Sequence, residues 1–401
     1  MSLLPAACLL FYAVSRCVAT QSIHQGQVTT ADLIVSSGYP VEQHSAVTLD
    51  GYVLGLFRIP GSPTNPPAKG KPVVFLQHGI LCSSTDWIIM GPGNSIAYLL
   101  ADAGFDVWLG NTRGNTYSRK HISEDPSSVK FWDFSWHEIG MYDLPAMIDT
   151  VLQSTHEDIL HYIGHSQGTT AFFVMASLKP EYNVKIRSMQ AFAPVAFMGN
   201  LKSPFIRAIA PFVNQIEWIM RMLGVKEFLP NSEMFTLGGQ KACNDDSSFQ
   251  EICANVLFLI AGFNSDQLNR TVLPTILQHT PAGASVSQFV HFAQNMNSGH
   301  FRQYDYGMLL NLRRYGSILP PNYPLERISA PVFLHYGEND WLAAVSDVQQ
   351  LERKLGNSAG LFRVPDDRWN HLDFTYGIEA PSLLYARVID VIRRLNVPIE
   401  K

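Results

Sequence analysis

The chain has 401 residues, 46% of them hydrophobic and 16% charged, with a mean hydropathy of +0.02. That balance excludes a disordered segment, a collagen and a coiled coil, and it supplies enough apolar side chains for a sizeable core. Its 29 basic and 34 acidic residues give a formal charge of −5 with no Lys/Arg run longer than two, so no nucleic-acid footprint is written into it.

In chain order, the first twenty residues read MSLLPAACLLFYAVSRCVAT, an apolar run followed by small residues at Cys17 and Ala19. This is the pattern of a secretory signal peptide spanning residues 1–19. A buried N-terminal segment is the alternative, because no Lys or Arg precedes the run. Residues 39–60 alternate in polarity around Asp50-Gly51 and read as a hairpin. The apolar run Val73-Val74-Phe75-Leu76 reads as a buried strand, 94–103 as a helix and 105–109 as the next strand. A polar loop over 111–120 precedes a helix over 139–153, a strand over 159–163, a helix over 169–178 and a strand over 189–192. Strand and helix signals thus alternate, which predicts a mostly parallel sheet with helices on both faces.

The alternation stops at about residue 197. Apolar, helical stretches over 205–225, 249–260 and 273–277 replace it, and the chain is longer than the roughly 250 to 300 residues that one core usually serves. Residues 197–320 are therefore predicted to be an inserted cap. A strand over 330–336, a helix over 345–355, a strand over 361–364 and a helix over 380–395 resume the sheet. The core is then 20–196 together with 321–401.

The sharpest chemical feature is Gly164-His165-Ser166-Gln167-Gly168, set between an apolar strand and a helix. Glycines flanking a serine at a strand-to-helix turn let the two elements close up while the serine hydroxyl is lifted above the sheet edge. Ser166 is the predicted nucleophile. A serine is unreactive at its free pKa, so it needs a base and an acid that orients that base. Tyr336-Gly337-Glu338-Asn339-Asp340 follows a strand and offers Asp340, with Glu338 as competitor. His371, in Trp369-Asn370-His371-Leu372-Asp373, is the only histidine downstream of His335 and is the predicted base. Asp366, Asp367 and Asp373 read as a charged loop. Backbone donors for a developing oxyanion are expected from Gln167, at the start of the helix, and from Ile80 in His78-Gly79-Ile80-Leu81, with Leu81 next in line. His78 and His165 read as hydrogen-bonding neighbours of the site. Phe205, Ile206, Phe212, Trp218, Ile219 and Met220 either line an acyl channel or form ordinary helix core.

Cys243 and Cys253 could close a small loop in an oxidising compartment or stand as two reduced thiols; Cys82 is read as unpaired. Asn269-Arg270-Thr271 is an acceptor sequon for an Asn-linked glycan.

Several further motifs carry a resemblance: Gly38-Tyr39-Pro40, Asp50-Gly51-Tyr52, Gln77-His78-Gly79-Ile80, Asn111-Thr112-Arg113-Gly114-Asn115-Thr116, Tyr142-Asp143-Leu144-Pro145-Ala146 and Pro281-Ala282-Gly283. With the serine and histidine motifs, they make the chain from about residue 32 onward resemble the acid lipases, the gastric, lingual, lysosomal and insect gut enzymes of the α/β-hydrolase fold. The resemblance implies hydrolysis of long-chain acylglycerols or sterol esters, with Ser166, Asp340 and His371 as triad and the amides of Ile80 and Gln167 as oxyanion hole. It implies a lid over about 227–254 and a Cys243–Cys253 disulfide. Ala261 stands where the family has a third cysteine, and His137 where it has an acidic residue; both lie outside the triad.

The expected protein is a lipase that needs no cofactor or metal and meets its lipid ester at an emulsion or membrane interface. It is expected to be a monomer without an obligate protein partner, secreted, with the lysosome as the alternative location. A hydrolase of small soluble esters would use the same triad, and an inactive lipid carrier would need a broken one.

Overall fold

The computed structural model describes residues 28–229 and 258–396. The signal segment 1–19, the lid beyond residue 229, the Cys243–Cys253 pair and most of the helix expected over 249–260 lie outside the described residues.

Eight strands run side by side in the order β1 (Glu42–Val47), β2 (Tyr52–Ile59), β4 (Asp106–Gly110), β3 (Val73–Gln77), β6 (Leu160–His165), β7 (Ile186–Phe192), β10 (Val332–Tyr336) and β11 (Ser358–Arg363). The β1–β2 hairpin and the β2–β4 pair are antiparallel, and every pair from β4 to β11 is parallel. A parallel neighbour requires a crossover, and helices Ile96–Asp102, Trp136 to Thr155, Gln167–Leu178 and Val345–Lys354 occupy those intervals. Strands β3, β4 and β6 are buried along their whole length, as expected of a sheet covered on both faces.

Because β3, β6, β7 and β10 are parallel and in register at Gln77↔Gly164, His165↔Phe192 and His335↔Phe192, the segments that leave them emerge at one edge. Loops beginning at His78, Ser166 and Gly337 therefore meet there, the usual site of ligand chemistry in such sheets.

The structure extends several sequence expectations. The helix over 139–153 starts earlier, at Trp136, and runs to Thr155 through a π-helical stretch Ile139–Asp143. Part of the polar loop over 111–120 ends in a short strand β5 (Lys120–His121) paired with β2. The stretch 205–225 divides into Pro204–Ile209, a 3-10 turn and Val213–Met222. The insertion also holds a strand pair, β8 (Glu227–Phe228) with β9 (Ala284–Ser285), and helices Leu273–His279, Val286–Ser298 and Met308–Tyr315. Ala210, Val213, Met220, Val286, Val290, Ala293 and Tyr304 form a second apolar cluster apart from the main core. Phe205, Phe212 and Trp218 do not join it, since all three are exposed.

One ionic knot, buried at Arg113 and Asp143, ties the hairpin to the sheet. Arg113 donates from Nε and its backbone N–H to the two oxygens of Asp143 at 2.7 and 2.9 Å, and from both Nη atoms to Asp50 at 2.6 and 2.9 Å. The guanidinium also lies 4.0 Å from the Tyr52 ring centroid. Burial pushes the Asp143 carboxyl up to about 6, against the pull of Arg113. Replacing Arg113 by Met strips a buried carboxylate of its counter-charge, so Arg113→Met is expected to lose about 3 to 5 kcal/mol of stability. Denaturant unfolding of the purified variant measures this; a loss under about 1 kcal/mol would show the knot to be dispensable.

Candidate active site

Ser166 sits between β6 and helix Gln167–Leu178 with φ 52° and ψ −118°, a backbone conformation that costs an L-residue roughly 1 to 3 kcal/mol. The flanking glycines make the turn possible. A β-carbon on Gly168 would collide with the carbonyl oxygen of Gln77, and one on Gly164 with the Tyr162 ring and the Gly168 backbone. The turn is fixed by Ser166 N–H donating to the Phe192 carbonyl at 3.0 Å and by the Ser166 carbonyl accepting from Thr169 N–H at 2.9 Å.

Asp340 and His371 converge on that serine from loops that follow β10 and β11. His371 Nε2 lies 2.8 Å from Ser166 Oγ, and its Nδ1 lies 2.8 and 3.0 Å from the two oxygens of Asp340. A carboxylate can only accept, so Nδ1 carries the proton and Nε2 is free to accept from the serine hydroxyl. Asp340 Oδ1 also accepts the N–H groups of Leu342 and Ala343 at 2.8 and 2.7 Å, which fixes its rotamer. All three side chains are buried. Glu338, the competing acid, is half-exposed and pairs with Arg363.

His78 and His165 are both neutral braces. His165 Nε2 donates to the His371 carbonyl at 2.9 Å, and burial lowers its pKa to about 3. His78 Nδ1 donates to the Gly79 carbonyl at 2.7 Å, while its Nε2 accepts from Thr112 N–H and Asn115 Nδ2 at 3.2 and 3.1 Å; burial lowers it to about 4. Cys82 N–H also reaches the Gly79 carbonyl. In a trans peptide the N–H points opposite to the carbonyl, so holding Gly79 C=O turns the Ile80 N–H the other way. The Gly79 backbone lies against the serine: a β-carbon there would stand 3.2 Å from Ser166 Cβ. Gln167 opens its helix, where N–H groups have no intrahelical acceptor. Its side chain reaches across to the insertion, donating to Gln288 Oε1 at 2.7 Å. Leu81 has φ 61°, and its carbonyl accepts from Ala282 N–H at 2.7 Å.

Asp373, read from sequence as part of a charged loop, is instead buried. Its Oδ2 accepts from Asn370 N–H and Asn264 Nδ2, both at 2.8 Å, next to the histidine. Sequence reasoning missed this role, although the Asn370-x-x-Asp373 spacing is that of a reciprocal turn, in which Asn370 Oδ1 takes Leu372 and Asp373 N–H. Asn269 is half-buried, its Oδ1 accepting from Thr271 N–H at 3.1 Å. Cys82 is a free thiol. No helix among the described residues is long and apolar enough to cross a membrane.

Residues 72–375 match the family described as alpha/beta hydrolase fold, and residues 30–91 match a partial alpha/beta-hydrolase lipase region. Lipase 3 of Drosophila melanogaster is 49% identical over 89% of this chain and 90% of its own length. The gastric triacylglycerol lipase of Rattus norvegicus is 40% identical over 92% of each. Among solved structures, a lipase described as putative from Sulfolobus solfataricus aligns with a TM-score of 0.58 at 14% identity, covering 88% of this chain and 99% of that one. A monoglyceride lipase variant of Saccharomyces cerevisiae gives 0.54 at 13%, covering 94% and 100%. At such identities these two likenesses speak for the fold alone.

Burial pushes the Asp373 carboxyl from its ordinary value of 3.8 up to about 7, against the lowering effect of the bonds from Asn370 and Asn264, and the nearby Asp366 and Asp340 add to the rise. The folded state therefore holds this proton more tightly than the unfolded chain. The associated stability is present in full below about pH 4 and is lost as pH rises to about 7. Asp373→Asn is expected to flatten that part of the dependence, so its Tm should decline less than the wild type's between pH 4 and 7.5 in calorimetric scans. Parallel curves for the two proteins would show that Asp373 is ionised throughout.

Proposed function

The chain belongs to the lipase family of α/β-hydrolases that includes the gastric triacylglycerol lipases, and from this premise we propose that it cleaves long-chain acylglycerols, triacylglycerol first, through a Ser166–His371–Asp340 acyl-enzyme cycle. Lipid ester hydrolysis is the activity of the family; the substrate and the cycle are our reading. The observation that carries it is the unbroken hydrogen-bonded line from a strained serine hydroxyl to His371 Nε2 and from His371 Nδ1 to Asp340, each step at 2.8 Å.

In that cycle His371 Nε2 takes the Ser166 proton as Oγ attacks the ester carbonyl carbon. The carbonyl oxygen becomes an oxyanion facing the amides of Ile80 and Gln167, and Asp340 stabilises the imidazolium without taking its proton. The tetrahedral intermediate collapses, the C–O bond to the alcohol breaks, and His371 returns the proton to the leaving oxygen. Water then gives its proton to the same nitrogen as it attacks the acyl carbon, the bond from that carbon to Ser166 Oγ breaks to release the fatty acid, and His371 returns the proton to Oγ.

Residues 197–320 act as a cap in this reading, with a lid over about 227–254 braced by a Cys243–Cys253 disulfide and a glycan on Asn269. The enzyme is secreted as a monomer into a gut lumen or extracellular fluid, the lysosome being the alternative. Its partner is the surface of a lipid aggregate. Helix Met308–Tyr315 and the turn after it support that partner, because Met308, Leu309, Leu310, Leu312, Ile318 and Leu319 all face solvent, Leu309 at 81% exposure. The turn is held in that shape by buried Asn311, which donates to Asp305 Oδ1 at 2.7 Å and to the Ile318 carbonyl at 3.0 Å. Arg313 and Arg314 stand exposed beside these aliphatics on an otherwise acidic chain, complementary to the negative charge of fatty-acid-bearing or anionic lipid surfaces.

The test is fatty-acid release from emulsified long-chain triacylglycerol, sterol ester and a soluble short-chain ester across pH 4 to 8. Triacylglycerol is expected to be cleaved, with sterol ester second, and Ser166→Ala to lose ~10⁴-fold or more. Cleavage of the short ester alone would replace this reading with a small-ester hydrolase. For the surface, Leu309→Glu with Leu312→Glu is expected to lower emulsion activity about tenfold while the soluble-ester rate stays within about twofold; equal loss on both substrates would remove the docking role.

A further inference from the structure

The acid and the base of the site belong to different loops. The pairing of β10 with β11 ends at Tyr336↔Arg363, several residues short of both Asp340 and His371. Beyond it the two loops meet directly where Asn339 N–H donates to the Trp369 carbonyl at 3.2 Å, so sheet register alone does not set the separation of the two groups. A third piece of chain touches both loops, and it comes from the insertion between β7 and β10.

The Ala261 carbonyl oxygen accepts two N–H groups, that of Trp341, adjacent to the acid, at 3.2 Å and that of His371 itself at 3.3 Å. The next three residues continue the contact. Gly262 C=O accepts from Asn370 Nδ2 at 3.0 Å, Phe263 C=O accepts from Asn339 Nδ2 at 2.7 Å, and Asn264 Nδ2 donates to Asp373 Oδ2 at 2.8 Å. Four consecutive residues thus bond to the acid loop, the base loop or both. The run is anchored from its other side, with Gly262 N–H on the Phe258 carbonyl at 2.8 Å and Ser203 Oγ on the Leu259 carbonyl at 3.2 Å. Gly262 has φ 113°, and a β-carbon there would collide with the Asn339 carbonyl oxygen and stand 3.1 Å from Asn370 Cβ. Only glycine fits this approach to both loops.

We infer that residues 261–264 are a positioning element of the catalytic reaction, in which the Ala261 carbonyl, bonded to both loops, works with the direct Asn339–Trp369 backbone bond to hold Asp340 and His371 at their separation. The inference rests on reading Ser166, Asp340 and His371 as the reacting groups. Its physical basis is the steepness of catalysis in geometry: a displacement of about 1 Å in such a constellation costs on the order of 10²-fold. A cleft segment that only shaped the substrate pocket would act on KM; this one acts on the base.

The test compares wild type with Gly262→Ala, which pushes the acid loop away, and with Asn339→Ala, which removes from a half-exposed side chain the bond to the Phe263 carbonyl together with its contacts to Trp341 Nε1 and the Arg368 carbonyl, and leaves the fold intact. On the soluble short-chain ester, kcat is expected to fall about 10- to 100-fold for Gly262→Ala and about 3- to 10-fold for Asn339→Ala, with KM within about twofold. The acid limb of kcat/KM, which reports protonation of the histidine, should move to lower pH as the imidazolium loses Asp340. The low-field proton resonance of His371 Nδ1–H, observed without any substrate, should shift or broaden in both. That signal keeps the two readings apart, because it reports the Asp340–His371 bond whatever ester the enzyme prefers. Unchanged kcat, acid limb and resonance in folded Asn339→Ala, and in Gly262→Ala where it folds, would overturn the inference.

Discussion

The structure turns on a serine held where L-residues resist going. At φ 52° and ψ −118°, Ser166 persists only because its surroundings over-determine it. Its N–H belongs to the β6–β7 ladder through Phe192, its carbonyl is gripped by the first turn of the next helix through Thr169 and Thr170, and Thr169 Oγ1 in turn accepts Val195 N–H at 2.9 Å. The two glycines around it are there because strand, turn and helix backbones approach too closely for a β-carbon. The parallel sheet then brings the other loops to the same edge, so the strain lies where Asp340 and His371 arrive.

Electrostatic order around this point is maintained by groups that carry no charge. His78 and His165 are buried and stay neutral far into acid, so their tautomers are fixed and each serves as a rigid strut. A chain of contacts links the hairpin turn to the oxyanion loop: Asp50 and Asp143 clamp Arg113, the loop around Arg113 presents Thr112 and Asn115 to His78, and His78 holds the Gly79 peptide. The charges on that path sit at its far end, where Arg113 and Asp143 are buried and Asp50 reaches solvent.

Much of this was legible in the sequence, and the reason differs by element. The strand–Gly-x-Ser-x-Gly–helix unit is local, so residue types alone predict it. Asp340 and His371 are distant from it, but few residues downstream of Ser166 have the right chemistry and follow a strand, and that narrows the choice. Helix Val286–Ser298 was not legible because Gln288, His291 and Asn295 are buried, which breaks the apolar periodicity a helix normally shows. Met308–Tyr315 failed for the opposite reason, since its aliphatics face outward. Phe205, Phe212 and Trp218 look like interior residues and are not. The bracing run at 261–264 is invisible to motif reading, because it works through backbone carbonyls of Ala, Gly and Phe, which carry no chemical signature.

That bracing run changes how the insertion relates to the sheet. An inserted cap is usually pictured as an accessory, a module added to a self-sufficient hydrolase to choose its substrate and exchangeable for another. Here the returning end of the insertion bonds to the loops that carry Asp340 and His371. On that proposal, excising the insertion would remove the bonds that residues 261–264 make to the Asp340 and His371 loops, and a grafted replacement would have to restore them. In the proposed reading, insertion and sheet are two stretches of one site, exchangeable only together.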